Sequence, residues 1–276
     1  MFQQVRPRTA AGGAVNILEL VYHNSVRSVR KTHSNAVMAI GMNMLQTVVF
    51  TMAFFFMFQM LGLKGSAVRG DFLLYIMTGI FLYMTHSKTL GAVSGAEGAT
   101  SAMMQHAPMN TAISILSAML STLYIQVLSF LAVLFVYDVA FNPGVISEIH
   151  DPIGVILMLC LAWFSGAAIG MCFLAAKPWA PTPIGIVSTI YQRANMIASG
   201  KMFLANTLPP MMLNLFDWNP LFHAIDQARG YAFVNYFPRN SDWEYALWVG
   251  ITLMMVGLMG EFVTRRNVSA SWTARR

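Results

Sequence analysis

The chain has 276 residues, of which 57% are hydrophobic and 10% charged, with a mean hydropathy of +0.58 and a formal net charge of +6. A soluble domain is usually about one quarter charged, so this balance excludes an ordinary water-soluble globule and points to a polytopic membrane protein. Much of the positive charge sits at the two ends of the chain, where it serves topology and does not imply nucleic-acid binding.

Residues 1–34 are expected to form a cytoplasmic amino-terminal part. Within it, AVNILELVYHNSVRSVRK at 14–31 puts Val15, Leu18, Val21 and Tyr22 broadly on one face and polar groups on the other. That pattern predicts an amphipathic helix lying at the membrane interface; an ordinary capping segment is the plainer reading. No secretory n-region and cleavage site precede the first apolar run, so the amino terminus is expected to be retained.

A bilayer-crossing helix takes roughly 20 residues, and six stretches qualify: 35–63, 72–91, 110–135, 152–175, 184–205 and 243–263. They are continuous apolar blocks and not alternating strands, which disfavours a barrel. The fold class expected is an all-α, six-span membrane domain over 35–263, followed by a basic cytoplasmic tail at 264–276. Arg6, Arg8, Arg27, Arg30 and Lys31 precede the first span, and Arg265, Arg266, Arg275 and Arg276 follow the last. An even number of spans puts both basic ends inside. The segment after the third span carries Asp138, Glu148 and Asp151 with no Lys or Arg, which suits the outer side.

Several groups along these spans are candidate functional residues. Phe50, Phe54 and Phe58 recur every four residues in the first span, and Tyr75 and Tyr83 lie eight apart in the second. Aromatic faces of this kind can slide along sugar rings, although packing or lipid contact is the commoner use. The segment 92–109, with Glu97 and Pro108, is either a surface helix that receives force from a partner or a mere connector. The fifth span is the most polar: Ser188, Gln192, Asn195 and Ser199 form one helical stripe that can line a path for a hydroxylated substrate or pack against neighbouring helices. Arg193 lies more than two turns inside it, where lipid exposure costs roughly 2.5–3.5 kcal/mol. It must therefore face water, pair with protein or lipid phosphate, or snorkel to the surface. Gly91 with Gly95 and Gly166 with Gly170 offer small-residue faces for close helix contact.

Between 206 and 242 the chain is too apolar for a solvated loop, yet Pro209, Pro210 and Pro220 interrupt it. Two short helices that enter the membrane and return to the same side fit this pattern, provided protein or water satisfies their backbone. Asp226 and Arg229 share one helix face if Pro220 begins the second. An ion pair shaping the outer exit and a solvated surface pair are both open readings.

Little here can carry covalent chemistry. Cys160 and Cys172 are about 18 Å apart along one helix, beyond disulfide reach, the histidines show no metal-ligand spacing, and no glycine loop suits a phosphate. No catalytic site and no cofactor are expected in the chain. Carboxylates are almost absent from the six cores, Glu261 lying near one end of the last, so energy from a separate ATP-binding subunit is favoured over an ion gradient.

Three motifs carry a family resemblance: ASGKMF at 198–203, LPP at 208–210 and WNPLFHAIDQARGYAF at 218–233. With the six-span plan they make the chain similar to the transmembrane subunit of type-two ABC exporters, and more narrowly to capsular or cell-envelope polysaccharide export permeases of Gram-negative bacteria. The resemblance implies a homodimer in the inner membrane, joined to two ATP-binding subunits that hold ATP and Mg2+, and moving a lipid-linked polysaccharide outward. Periplasmic and outer-membrane export proteins are further candidate partners. It also implies that Glu97, Met103, Met104, His106 and Pro108 belong to the coupling segment. Trp218, Asn219, Pro220, His223, Asp226 and Arg229 would belong to the re-entrant exit. Export of O-antigen, teichoic acid, lipid or drug is the alternative within this class, and a non-transporting membrane scaffold the alternative outside it.

Overall fold

The structure is a computed structural model that describes residues 10–32, 36–60, 62, 68–98 and 111–267. The described helices are α1 (Ala10–Thr32), α2 (Ala36–Met60), α3 (Phe72–Ser94), α4 (Thr111–Ala140), α5 (Pro152–Ala176), α6 (Pro181–Ala198), α7 (Pro210–Leu213), α8 (Pro220–Ala232) and α9 (Trp243–Asn267). Single 3-10 turns occupy Val145–Glu148 and Ala205–Thr207, and the described residues contain no strand. The protein is all-α.

Among the described residues, four segments are long and apolar enough to cross a membrane: Val37–Met60, Thr111–Ala140, Pro152–Ala176 and Trp243–Asn267. They correspond to the first, third, fourth and sixth expected spans and fit a multi-pass membrane protein. The other two helices expected to span depart from this pattern for different reasons. In α3, Thr78, Thr85, His86, Lys88 and Thr89 dilute the apolar content, yet every residue from Leu74 to His86 is buried. Packed against α2, α4, α5 and α8, this helix has little surface to show to lipid, so polar residues are tolerated where they bond internally. Thr78 donates to Tyr75 O at 2.8 Å and Thr89 to Thr85 O at 2.7 Å. In α6, only 18 residues are helical and Asn195 alone is buried.

Around α5 the bundle is close-packed, with α3 on one side and α9 on the other. A methyl group at Gly166 would collide with the His86 carbonyl, and one at Gly170 would lie 2.9 Å from Leu90 O. On the other side, a Cβ at Gly257 would sit 2.6 Å from Met171 Cγ. The Gly166–Gly170 face therefore works as expected. Gly91 does not, because its missing side chain meets nothing within 4 Å and opens onto a cavity.

The expected apolar face of α1 is divided. Val21 and Val29 are buried while Leu18 and Tyr22 point outward, 67% and 66% exposed. Polar contacts make the junction with α4: Ser117 Oγ donates to Val21 O at 3.2 Å and Ser25 Oγ to Ser117 O at 3.4 Å. Serines at the contact let the two helices approach, so α1 packs on the bundle along one edge and keeps an apolar edge free.

Candidate functional site

The fifth expected span ends seven residues early. Ser199 closes α6, and Gly200 follows at φ +72, the left-handed conformation that terminates helices and that glycine adopts without a Cβ penalty. Phe222 of α8 packs where a side chain at 200 would stand. Asn219 fixes the other edge of the junction. Its side chain caps α8 by accepting from Leu221 N at 3.1 Å, and it donates to Asn195 Oδ1 at 2.7 Å and Ala198 O at 2.9 Å. Pro220 occupies the first helical position, where its missing N–H is not needed. The Asn-Pro motif thus starts α8 and binds it to the end of α6.

Arg229, 0% exposed, reaches back into the turn after Gly200. Its Nη1 donates to Gly200 O at 3.0 Å and Phe203 O at 2.6 Å, and its Nη2 to Lys201 O at 2.6 Å. The guanidinium lies 4.3 Å from the centroid of the Tyr75 ring. Buried carbonyls of an irregular turn have no ladder partners and need donors, and this planar fork supplies several at once. Gly79 makes room for it: a Cβ there would be 2.8 Å from both Arg229 Nη2 and Lys201 O.

Asp226, 2% exposed, is held by other partners. It accepts from Tyr236 Oη at 2.5 Å, Ser241 Oγ at 2.7 Å and Ala205 N at 3.2 Å. Burial, and then the adjacent carboxylate charge, push the Tyr236 phenol upward in pKa. The expected Asp226–Arg229 ion pair is not formed, and neither residue is solvated. Sharing a helix face brought them near one another, but each turns to backbone and hydroxyl groups of the surrounding loops. His223 completes this role for α8: Nδ1 accepts from Asp242 N at 2.8 Å, which leaves Nε2–H to donate to Asp217 O at 2.5 Å. Trp218, by contrast, is 56% exposed; its indole donates locally to Leu215 O at 2.7 Å, and its carbonyl accepts from Tyr245 Oη at 3.1 Å.

A residue the sequence reading passed over is Lys201. It is buried, its ammonium finds no hydrogen-bond acceptor among the described residues, and it lies 3.4 Å from the Tyr83 ring centroid, 5.0 Å from Phe50 and 5.2 Å from Phe54. Aromatic faces attract a desolvated cation. Phe50, Phe54 and Tyr83 therefore face Lys201, and Tyr75 faces Arg229, while Phe50 also lines a cavity between α2, α3 and α4. Phe58 packs edge-on to Phe72, with centroids 5.8 Å apart. The signal in the sequence was a lone lysine just after a Ser-Gly helix stop, opposite an aromatic repeat.

The polar stripe of α6 turns toward its own chain. Asn195 and Ser199 are buried at the α8 junction, while Gln192 and Ser188 are half-buried and bonded to each other at 3.3 Å. Tyr191 on the same helix approaches His86 Nε2 at 3.4 Å, and His86 Nδ1 lies 3.0 Å from Ser165 Oγ. Arg193 faces away from the chain, exposed among Ile186, Ile190 and Ile197.

In the expected coupling segment, Glu97 N donates to Ser114 Oγ at 3.1 Å. Met103, Met104, His106 and Pro108 lie outside the described residues. No group of three metal-ligating side chains occurs among the described residues. No family model and no curated protein matches the chain.

Proposed function

We propose that the chain is the permease subunit of an exporter that moves a lipid-linked cell-envelope polysaccharide and takes its energy from a separate ATP-binding subunit. The observation that supports this most is the outward face of α6. A helix of 18 residues, about 27 Å long, exposes two thirds of its residues and carries Arg193 within that exposed surface. Facing lipid, the guanidinium would cost roughly 2.5–3.5 kcal/mol. Facing a water-filled path or a second copy across that path, it costs far less and attracts anionic groups on a glycan or its lipid.

On this reading α3 and α6 complete a set of six spans with α2, α4, α5 and α9. The 13 residues of α8 give about 20 Å, too short to cross a hydrocarbon core of about 30 Å, which suits a re-entrant element that returns to its side of entry. Both basic termini then lie in the cytoplasm, and the segment 92–109 meets the ATP-binding partner there.

Reconstitution tests the function. Vesicles containing the chain and its ATP-binding partner should translocate a lipid-linked polysaccharide only with ATP and Mg2+, and with a marked loss for Arg193→Leu. Failure to stimulate any ATPase, or glycan movement independent of ATP, would refute it. Topology is tested separately by thiol labelling. A cysteine introduced beside Arg275 should react from the cytoplasmic side only.

A further inference from the structure

A second cationic centre lies in a cavity of about 680 Å³ between α2, α3 and α4, whose lining includes Phe50, the ring that also faces Lys201. Lys88 of α3 reaches into it and donates to Asn43 Oδ1 at 2.7 Å and Gln46 Oε1 at 2.6 Å. The amides are themselves held in place: Asn43 Nδ2 donates to Ser129 Oγ at 2.7 Å, and Asn43 and Gln126 exchange longer contacts at 3.4 Å. An ammonium has three N–H donors, so one remains for a further acceptor. Lys88 forms no ion pair with any carboxylate among the described residues, and the cavity lining contains no Asp or Glu.

The rest of the lining is mainly apolar. Met42, Leu45 and Val49 line the cavity and are also exposed on the outside of α2, 47%, 56% and 59% respectively. The entrance is thus hydrocarbon-like while the inner end is cationic. Lys88 precedes the end of α3 at Ser94 by six residues, about 9 Å along the axis. For a helix spanning a bilayer, that places Lys88 in the leaflet at the Ser94 end, inside a hydrocarbon core of about 30 Å.

We propose that this cavity binds an anionic phospholipid laterally from one leaflet, its phosphate accepting from Lys88 Nζ and its chains lying along Met42, Leu45 and Val49. A free anion would leave the apolar wall uncovered. A zwitterionic lipid would bring a headgroup cation of its own beside the ammonium along with its phosphate and leave one positive charge uncompensated, which is costly at low dielectric. The site rests on α3 spanning the bilayer, as the export reading has it, but not on export itself, since a chain that exports nothing can still hold the lipid.

The test uses the full chain in bilayer nanodiscs of phosphatidylcholine doped with phosphatidylglycerol, followed by native mass spectrometry of the extracted protein. Wild type should retain one phosphatidylglycerol in preference to phosphatidylcholine. Lys88→Gln should weaken that retention by about tenfold, and Lys88→Arg should preserve it. Because Lys88→Gln also disturbs the amide cluster, a second variant is needed that leaves it intact. Gly91 lines the cavity and an added side chain there meets no atom within 4 Å, so Gly91→Phe should fill the space and expel the lipid with no loss of thermal stability. Equal retention of the two lipids, or phosphatidylglycerol retained by both Lys88→Gln and Gly91→Phe, would overturn the proposal. So would inorganic phosphate displacing the lipid from the site, or retention of a polyprenyl diphosphate to the exclusion of phosphatidylglycerol.

Discussion

Helices α3 and α6 are both too polar to read as simple membrane spans, and they answer that polarity in opposite ways. In α3 the thirteen residues from Leu74 to His86 are all buried, and its threonines and His86 are bonded within the chain. In α6 one residue of 18 is buried, and Arg193 points out beyond the chain. Polarity in a membrane helix therefore has two meanings. It marks a helix enclosed by its own protein, or a helix whose surroundings are supplied by something else, either water or another chain. Burial separates the two where hydropathy does not.

Variants at the contacts of each helix sharpen this contrast. The largest effect should come from Arg229→Met beside α3, which strips donors from three carbonyls in the Gly200–Phe203 turn. At about 1–3 kcal/mol for each buried group left unsatisfied, the loss should reach at least about 3 kcal/mol and be visible as reduced folded protein in size-exclusion profiles. Because Arg229 and Asp226 bind different partners, exchanging their charges in a double variant should fail to restore it; recovery would reinstate a direct pair. Next in size is Gly166→Val, which drives a side chain into the His86 backbone. Overpacking of this kind costs about 1–3 kcal/mol, read as a lower thermal midpoint, whereas Gly91→Ala on the open face of α3 should be neutral or slightly stabilising.

The smallest effect on folding belongs to α6. Arg193→Leu should change the stability of the chain by less than about 0.5 kcal/mol while reducing transport in reconstituted vesicles. A cysteine at Arg193, in a background lacking Cys160 and Cys172, should react with a water-soluble thiol reagent or crosslink to a second copy. Should it do neither, the helix faces lipid, and the contrast with α3 fails.

Much of this fold could be read directly from residue patterns. Continuous apolar runs marked α2, α4, α5 and α9, and Asn219-Pro220 marked the start of α8, because cap and first-turn chemistry is local. Local patterns are silent about what distant segments do to one another. The periodicity that put Asp226 and Arg229 on one face carried no information about a turn 26–29 residues upstream whose carbonyls would claim the guanidinium. The same limit applies to Phe50, Phe54 and Tyr83. Their spacing described a stripe, and only the folded chain brings Lys201 against it. The end of α6 was misplaced because the apolar run continues through 203–205, while the backbone reverses at Gly200.

That reversal has a mechanical meaning. Beyond Gly200 the chain is clamped by Arg229 and pressed against α3 at Gly79, and the last turn of α6 is bonded through Asn195 and Ala198 to Asn219. Further along α6, toward Pro181, Tyr191 ties the helix to the bundle through its long contact of 3.4 Å with His86 and its ring packing on Phe173, centroids 6.0 Å apart. A helix fixed firmly at one end and loosely along its length behaves as a lever with its fulcrum at the fixed end. Small displacements near Pro181 would swing the exposed face of α6 through an arc, with Arg193 riding between the Pro181 end and the pivot.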